Sequence, residues 1–162
     1  MHSARPTTLL PLAVAAAIGL TTLPALAAGP FTPLIGTWSG SGQARLDGGR
    51  TETLKCKAYY TDRGAGSAIG ISLRCASASA RIELRANLTS SAGSISGSWE
   101  ERQYNAVGSV SGQASGNRVN LSITGGGLSG SMSVTTSGGS QSVSITTAGT
   151  ALRGVNIGLS RD

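Results

Sequence analysis

The chain has 162 residues, 24 of them glycine, with 13 basic against 7 acidic side chains, a net charge of +6 and only 4% aromatic residues. Its single histidine, His2, lies in an N-terminal leader, so the rest of the chain lacks Ser-His-Asp and Cys-His nucleophile systems, histidine general bases and histidine-based zinc sites. On that inventory the chain is expected not to be an enzyme and to hold no cofactor or metal, while its dispersed basic residues favour anionic neighbours over nucleic acid.

Residues 1–27 read as a secretory signal. Met1-His2-Ser3-Ala4-Arg5 is a short basic start, Leu9 to Leu20 is the apolar run, and Ala25-Leu26-Ala27 is the cleavage site. The run is shorter than the roughly 20 apolar residues of a membrane span and contains Pro11. Cleavage would remove Arg5 and lower the net charge to +5. The expected location is periplasmic or secreted, with residues 28–35 as a lead-in and 36–162 as a single β-domain that is not an integral membrane protein.

From Gly36 onward, apolar and polar residues alternate in short runs between turn clusters such as Asp47-Gly48-Gly49, Arg63-Gly64-Ala65-Gly66 and Gly125-Gly126-Gly127. None of these runs has a helical period. The spacing predicts ten strands, over 36–46, 51–61, 68–75, 81–90, 94–103, 106–114, 118–124, 128–136, 141–148 and 152–160. The expected fold is all-β, an antiparallel meander forming a small barrel or a strongly curved sheet.

Taken in order, the first strand places Trp38 among Gly36, Gly40 and Gly42. The second and third carry Cys56 and Cys75, an even pair that in an exported chain reads as a disulfide. Pairing them directly opposite each other puts the hairpin midpoint between Ala65 and Gly66, where the glycines are. The same register opposes Ala58 to Leu73 and Tyr60 to Ile71, so Leu54, Cys56, Ala58, Tyr60, Ile69, Ile71, Leu73 and Cys75 form one inner face.

Across Ala76 to Ala80 the apolar parity switches to Ile82, Leu84, Ala86 and Leu88, which requires either a tight turn near Ala78-Ser79 or a bulge in one long strand. With the turn, Leu84 opposes Leu73 inside and Glu83 opposes Arg74 outside, leaving Lys57, Arg74 and Glu83 in one outer row. Lys55, Lys57, Arg74 and Arg85 are the candidate anion-facing residues, against ordinary cross-strand charge pairing as the alternative. Glu100 and Glu101 are strand neighbours that point to opposite faces, so they cannot flank one bond. Trp99 shares a face with Ile95 and Gly97. The second half is Gly-, Ser- and Thr-rich, with one apolar residue at every second position, as in Val119-Leu121-Ile123 and Val155-Ile157-Leu159. That is the pattern of one-sided strands with small outer faces.

Gly36-Thr37-Trp38 resembles the Gly-x-Trp opening of lipocalin-like and avidin-like barrels, which implies a tryptophan packed at one barrel end. The resemblance lacks that family's Thr-Asp-Tyr motif, C-terminal helix and aromatic lining. More broadly, the mature chain resembles the uncharacterised small exported β-proteins of proteobacteria, which implies a compartment and no activity. Trp38, Trp99 and Tyr60 are read as core residues, with ligand stacking as the alternative. The expected function is a non-catalytic envelope protein that binds a small apolar or amphiphilic ligand or an anionic envelope component. The alternative is a structural or adhesive protein that assembles through strand edges.

Overall fold

A computed structural model of the chain describes residues 27–162; the expected signal, up to residue 26, lies outside the described residues. Ten strands follow one another with no helix longer than one turn between them: β1 (Gly36–Leu46), β2 (Thr51–Asp62), β3 (Ala68–Ala76), β4 (Arg81–Ser91) and β5 (Ser94–Glu101). The second half adds β6 (Ala106–Ser115), β7 (Arg118–Gly125), β8 (Leu128–Ser137), β9 (Ser140–Ala148) and β10 (Leu152–Arg161). Each strand pairs antiparallel with the next, and β10 pairs with β1 from Trp38↔Arg161 to Leu46↔Leu152, with a register shift between Arg45 and Leu46, which closes the barrel. Closure corrects the reading of assembly through strand edges: both faces of the β1–β10 seam are hydrogen-bonded, so these strands offer no free edge.

Two glycines allow the seam to close. A Cβ on Gly40 would stand 2.0 Å from the Gly158 carbonyl oxygen, and one on Gly42 would stand 2.0 Å from that of Asn156. Only glycine lets β1 approach β10 so closely.

The inner face follows the period-two pattern. Cys56 opposes Cys75 and the two are disulfide-bonded; Ala58 opposes Leu73 and Tyr60 opposes Ile71. The parity switch after β3 is a turn, closed by the Ser77 N–H donating to the Ala80 carbonyl at 2.9 Å, and it sets Leu73 opposite Leu84 and Arg74 opposite Glu83. Glu101 points inward and is buried, while Glu100 is exposed. The Glu101 carboxylate accepts the backbone N–H groups of Glu83 and Tyr104, each at 2.7 Å, and so ties down the β5–β6 loop.

One end of the barrel is sealed. The lead-in forms a 3-10 turn (Thr32–Leu34), and Phe31, Leu34 and Trp38 fill the opening, Phe31 and Trp38 with no exposed surface. The Phe31 N–H donates to the Gly66 carbonyl at 3.0 Å, and Trp38 Nε1–H donates to the Leu34 carbonyl at 2.7 Å. Behind the indole, the Arg161 guanidinium lies 4.3 Å from the ring centroid and donates to the Ile35 and Pro33 carbonyls. At the opposite end Ile82, Ile123, Leu128 and Leu152 are only partly buried.

The turn at the sealed end depends on charge. Asp62 Oδ1 accepts the N–H groups of Gly64 at 3.0 Å and Gly66 at 2.9 Å, and the Gly66 bond, then the Gly64 bond, holds the carboxyl below its usual range. Because the folded-state value lies below the unfolded one, of about 3.9, the stabilisation is present above that pH and is lost as pH falls through the folded value. The midpoint of denaturant unfolding is therefore expected to fall with pH below about 4, and to fall less steeply in Asp62→Asn. An identical pH profile for wild type and variant would contradict this role.

Candidate functional site

The outer wall across β2 to β6 carries a groove of about 640 Å³, within the usual range for small-molecule sites. Its position follows from the register. One outward row runs Tyr59, Ser72, Arg85, Glu100, Val107, and the next runs Thr61, Gly70, Asn87, Ser98, Ser109. Small side chains at Gly70, Ser72 and Ser98 leave a depression between longer ones. Tyr59 and Val107, 38% and 64% exposed, form its apolar rims.

Arg63 enters from the β2–β3 turn and lies across Gly70, where an added Cβ would meet its Nε at 2.4 Å. The missing side chain at Gly70 is what seats this guanidinium in the groove, with Arg85 further along the same lining. Among the described residues two ion pairs occur, Lys57 with Asp162 at 3.3 Å and Arg153 with Asp47. Arg63 and Arg85 therefore have no carboxylate within the 4.0 Å that defines an ion pair, although Glu100 is the register neighbour of Arg85.

The expected anion-facing residues are not gathered into one site. Arg85 lines the groove. Lys57 lies beside it, its Nζ 5.8 Å from the Tyr59 ring centroid and paired to Asp162, whose carboxyl is held low first by the Ser39 hydroxyl and then by Lys57. Arg74 and Lys55 point outward in rows nearer the unsealed end, beyond the groove lining. Tyr59 and Glu100 were weighed from sequence only as an aromatic and as one of a carboxylate pair, and Arg63, Asn87 and Val107 were not singled out as site residues. The signal that places Tyr59, Asn87, Glu100 and Val107 together is outward parity in the two rows next to Lys57 and Arg74; for Arg63 it is the outward glycine at position 70.

The aromatic candidates divide differently. Trp38 is enclosed by the end plug. Tyr60 is buried across the interior, its hydroxyl donating to Gln141 Oε1 at 2.8 Å, and burial pushes its pKa well above the ordinary tyrosine value. Trp99 is 6% exposed and backs the groove from inside. Its indole lies over Gly108, where a Cβ would meet Nε1 at 2.5 Å, and Nε1–H donates to the Thr124 carbonyl at 3.2 Å. Glycines beside this tryptophan therefore serve to let a large ring lie flat on the adjoining strands.

No family model matches the chain, and no curated protein matches it. Among solved structures it is similar to Rv2717c from M. tuberculosis, with a TM-score of 0.63 and 13% identity, covering 81% of this chain and 94% of that one. It is also similar to the S-type phycobiliprotein lyase CPES from Guillardia theta, with a TM-score of 0.63 and 12% identity, covering 82% of this chain and 90% of that one. At such identity the likeness shows a shared barrel fold. It also corrects the expectation that the chain is not an enzyme, because a protein named a lyase uses this architecture. The residue inventory removes particular histidine chemistries; it does not remove catalysis as such. Among the described residues no helix is long and apolar enough to cross a membrane.

Proposed function

We propose that the protein binds a small anionic ligand, of the kind found in a cell envelope, in the groove between Tyr59 and Val107, acting in the periplasm or outside the cell. The observation that carries this is the pair of guanidiniums, Arg63 and Arg85, lining one cavity with no carboxylate at ion-pair distance. Guanidinium is planar and permanently charged, and it donates two parallel hydrogen bonds to a carboxylate or phosphate. A second reading, in which the apolar part of an amphiphile rests on the unsealed end, is favoured by the partial exposure there of Ile82, Leu128 and Leu152.

The test is an NMR titration of the arginine Nε–H resonances with acetate and with inorganic phosphate. Saturable shifts at Arg63 and Arg85 are expected, with affinity falling about tenfold in Arg85→Gln, as for loss of a charged hydrogen bond. Gly70→Ala should act likewise by displacing Arg63, since the new Cβ meets only the far end of a flexible side chain. Neither substitution should shift the melting temperature appreciably. Absence of saturable anion binding, or binding indifferent to both substitutions, would reject the proposal.

A further inference from the structure

Resting on the anion-binding reading above, the groove chemistry points to a narrower ligand class: we infer that the site takes a monoanionic, polyhydroxylated acid of the uronate type, a sugar ring bearing one carboxylate. Three features of the lining separate this class from other anions.

The first is Glu100. It stands opposite Arg85 in register, exposed and lining the same cavity. An ionised carboxylate only accepts hydrogen bonds. It repels a second negative charge on a ligand already held by Arg63 and Arg85, so it disfavours phosphate dianions and dense polyanions. Toward a ligand with hydroxyl groups it is an attraction, because each hydroxyl can donate to it in a charge-assisted bond.

The second is the neutral polar floor. Thr61, Asn87 and Ser98 are exposed along the groove and offer both donors and acceptors. That mixture matches hydroxyl groups, which also do both; a bare carboxylate has use only for donors, and hydrogen phosphate brings a single hydroxyl.

The third is the rim. Tyr59 and Val107 are two of the three large apolar residues exposed among the described residues, and both border this groove. They stand at the two ends of one row that crosses five strands, roughly 19 Å apart at the usual strand spacing, so a pyranose ring lays its C–H face on the Tyr59 ring alone, with its hydroxyls over the polar floor. A simple inorganic anion has nothing to place there.

The experiment compares glucuronate, acetate, glucose and inorganic phosphate by the same arginine-detected titration on residues 28–162 carrying the native disulfide. Glucuronate is expected to bind at least tenfold tighter than each of the other three. Tyr59→Ala should weaken glucuronate several-fold and leave acetate unchanged. Glu100→Gln should weaken glucuronate and strengthen phosphate, narrowing the preference from both sides. If acetate and phosphate bind through Arg85 and glucuronate does no better, the uronate assignment is overturned while the anion site stands. If no anion shifts Arg63 or Arg85, the underlying reading falls with it. Equal effects of Tyr59→Ala or Glu100→Gln on acetate and glucuronate also overturn the assignment, because the rim and the carboxylate would then not be reading the sugar.

Discussion

Trp38→Ala is expected to lower the stability of the barrel by about 3–5 kcal/mol, the usual cost of cutting a buried aromatic to alanine. That is a large share of the roughly 5–15 kcal/mol by which a domain of this size is stable. Three losses coincide at this position. The fully buried indole vanishes from between Phe31 and Leu34, the Leu34 carbonyl loses its 2.7 Å donor, and the Arg161 guanidinium loses the ring it lies over. The surroundings are poorly placed to collapse into the space, since Arg161 is held to the Pro33 carbonyl and the lead-in to Gly66. Trp38→Phe separates the contributions: it keeps an apolar ring and drops the hydrogen bond, and should cost far less. Chemical unfolding followed by the remaining tryptophan, Trp99, is the measurement. A midpoint in Trp38→Ala within error of wild type would show that the plug carries little of the stability.

Replacing both cysteines with alanine, Cys56→Ala with Cys75→Ala, is expected to cost about 3 kcal/mol in the chain-entropy treatment of a loop this long; the bridged residues are 19 apart. For a chain of this length that corresponds to a fall in melting temperature of roughly 10 °C. The bridge acts chiefly on the unfolded chain. In the folded state Ala58–Leu73 and Tyr60–Ile71 already specify the same register, so the variant should keep its strand content and lose only stability. Reduction of the wild-type protein should reproduce the shift. No change in melting temperature on either treatment would mean that the hairpin persists in the unfolded ensemble and leaves the bridge nothing to constrain.

Local patterning carried most of the fold. Alternation with period two and glycine clusters such as Ala65-Gly66, where the backbone takes positive φ, act within a few residues, so ten strands and their turns could be read directly. The β2–β3 register followed because one shared inner face and the opposed cysteines admit a single alignment, whereas at β3–β4 the sequence allowed a turn or a bulge and the structure takes the turn. The boundary of β5 was read too long, ending at Glu101 and not at residue 103, because the buried Glu101 carboxylate captures the Tyr104 N–H and turns the chain. The charge of the exposed rows was legible as well, but not which charges would stay unpaired: Lys57 is neutralised by Asp162, which lies more than a hundred residues away in sequence.

What the sequence determined by itself was therefore the all-β class, the strand order and the inward set of side chains, since each depends on neighbours in the chain or across one hairpin. Closure was decided only in three dimensions, because the β1–β10 seam joins the two ends of the meander and depends on how much twist the strands accumulate between them. The groove was decided there too. It draws one or two outward residues from each of five strands and seats Arg63 over Gly70, a conformation set by a gap on the neighbouring strand. Outward positions carry no burial constraint, so no periodic signal marks them before the sheet is curved and its rows are brought side by side.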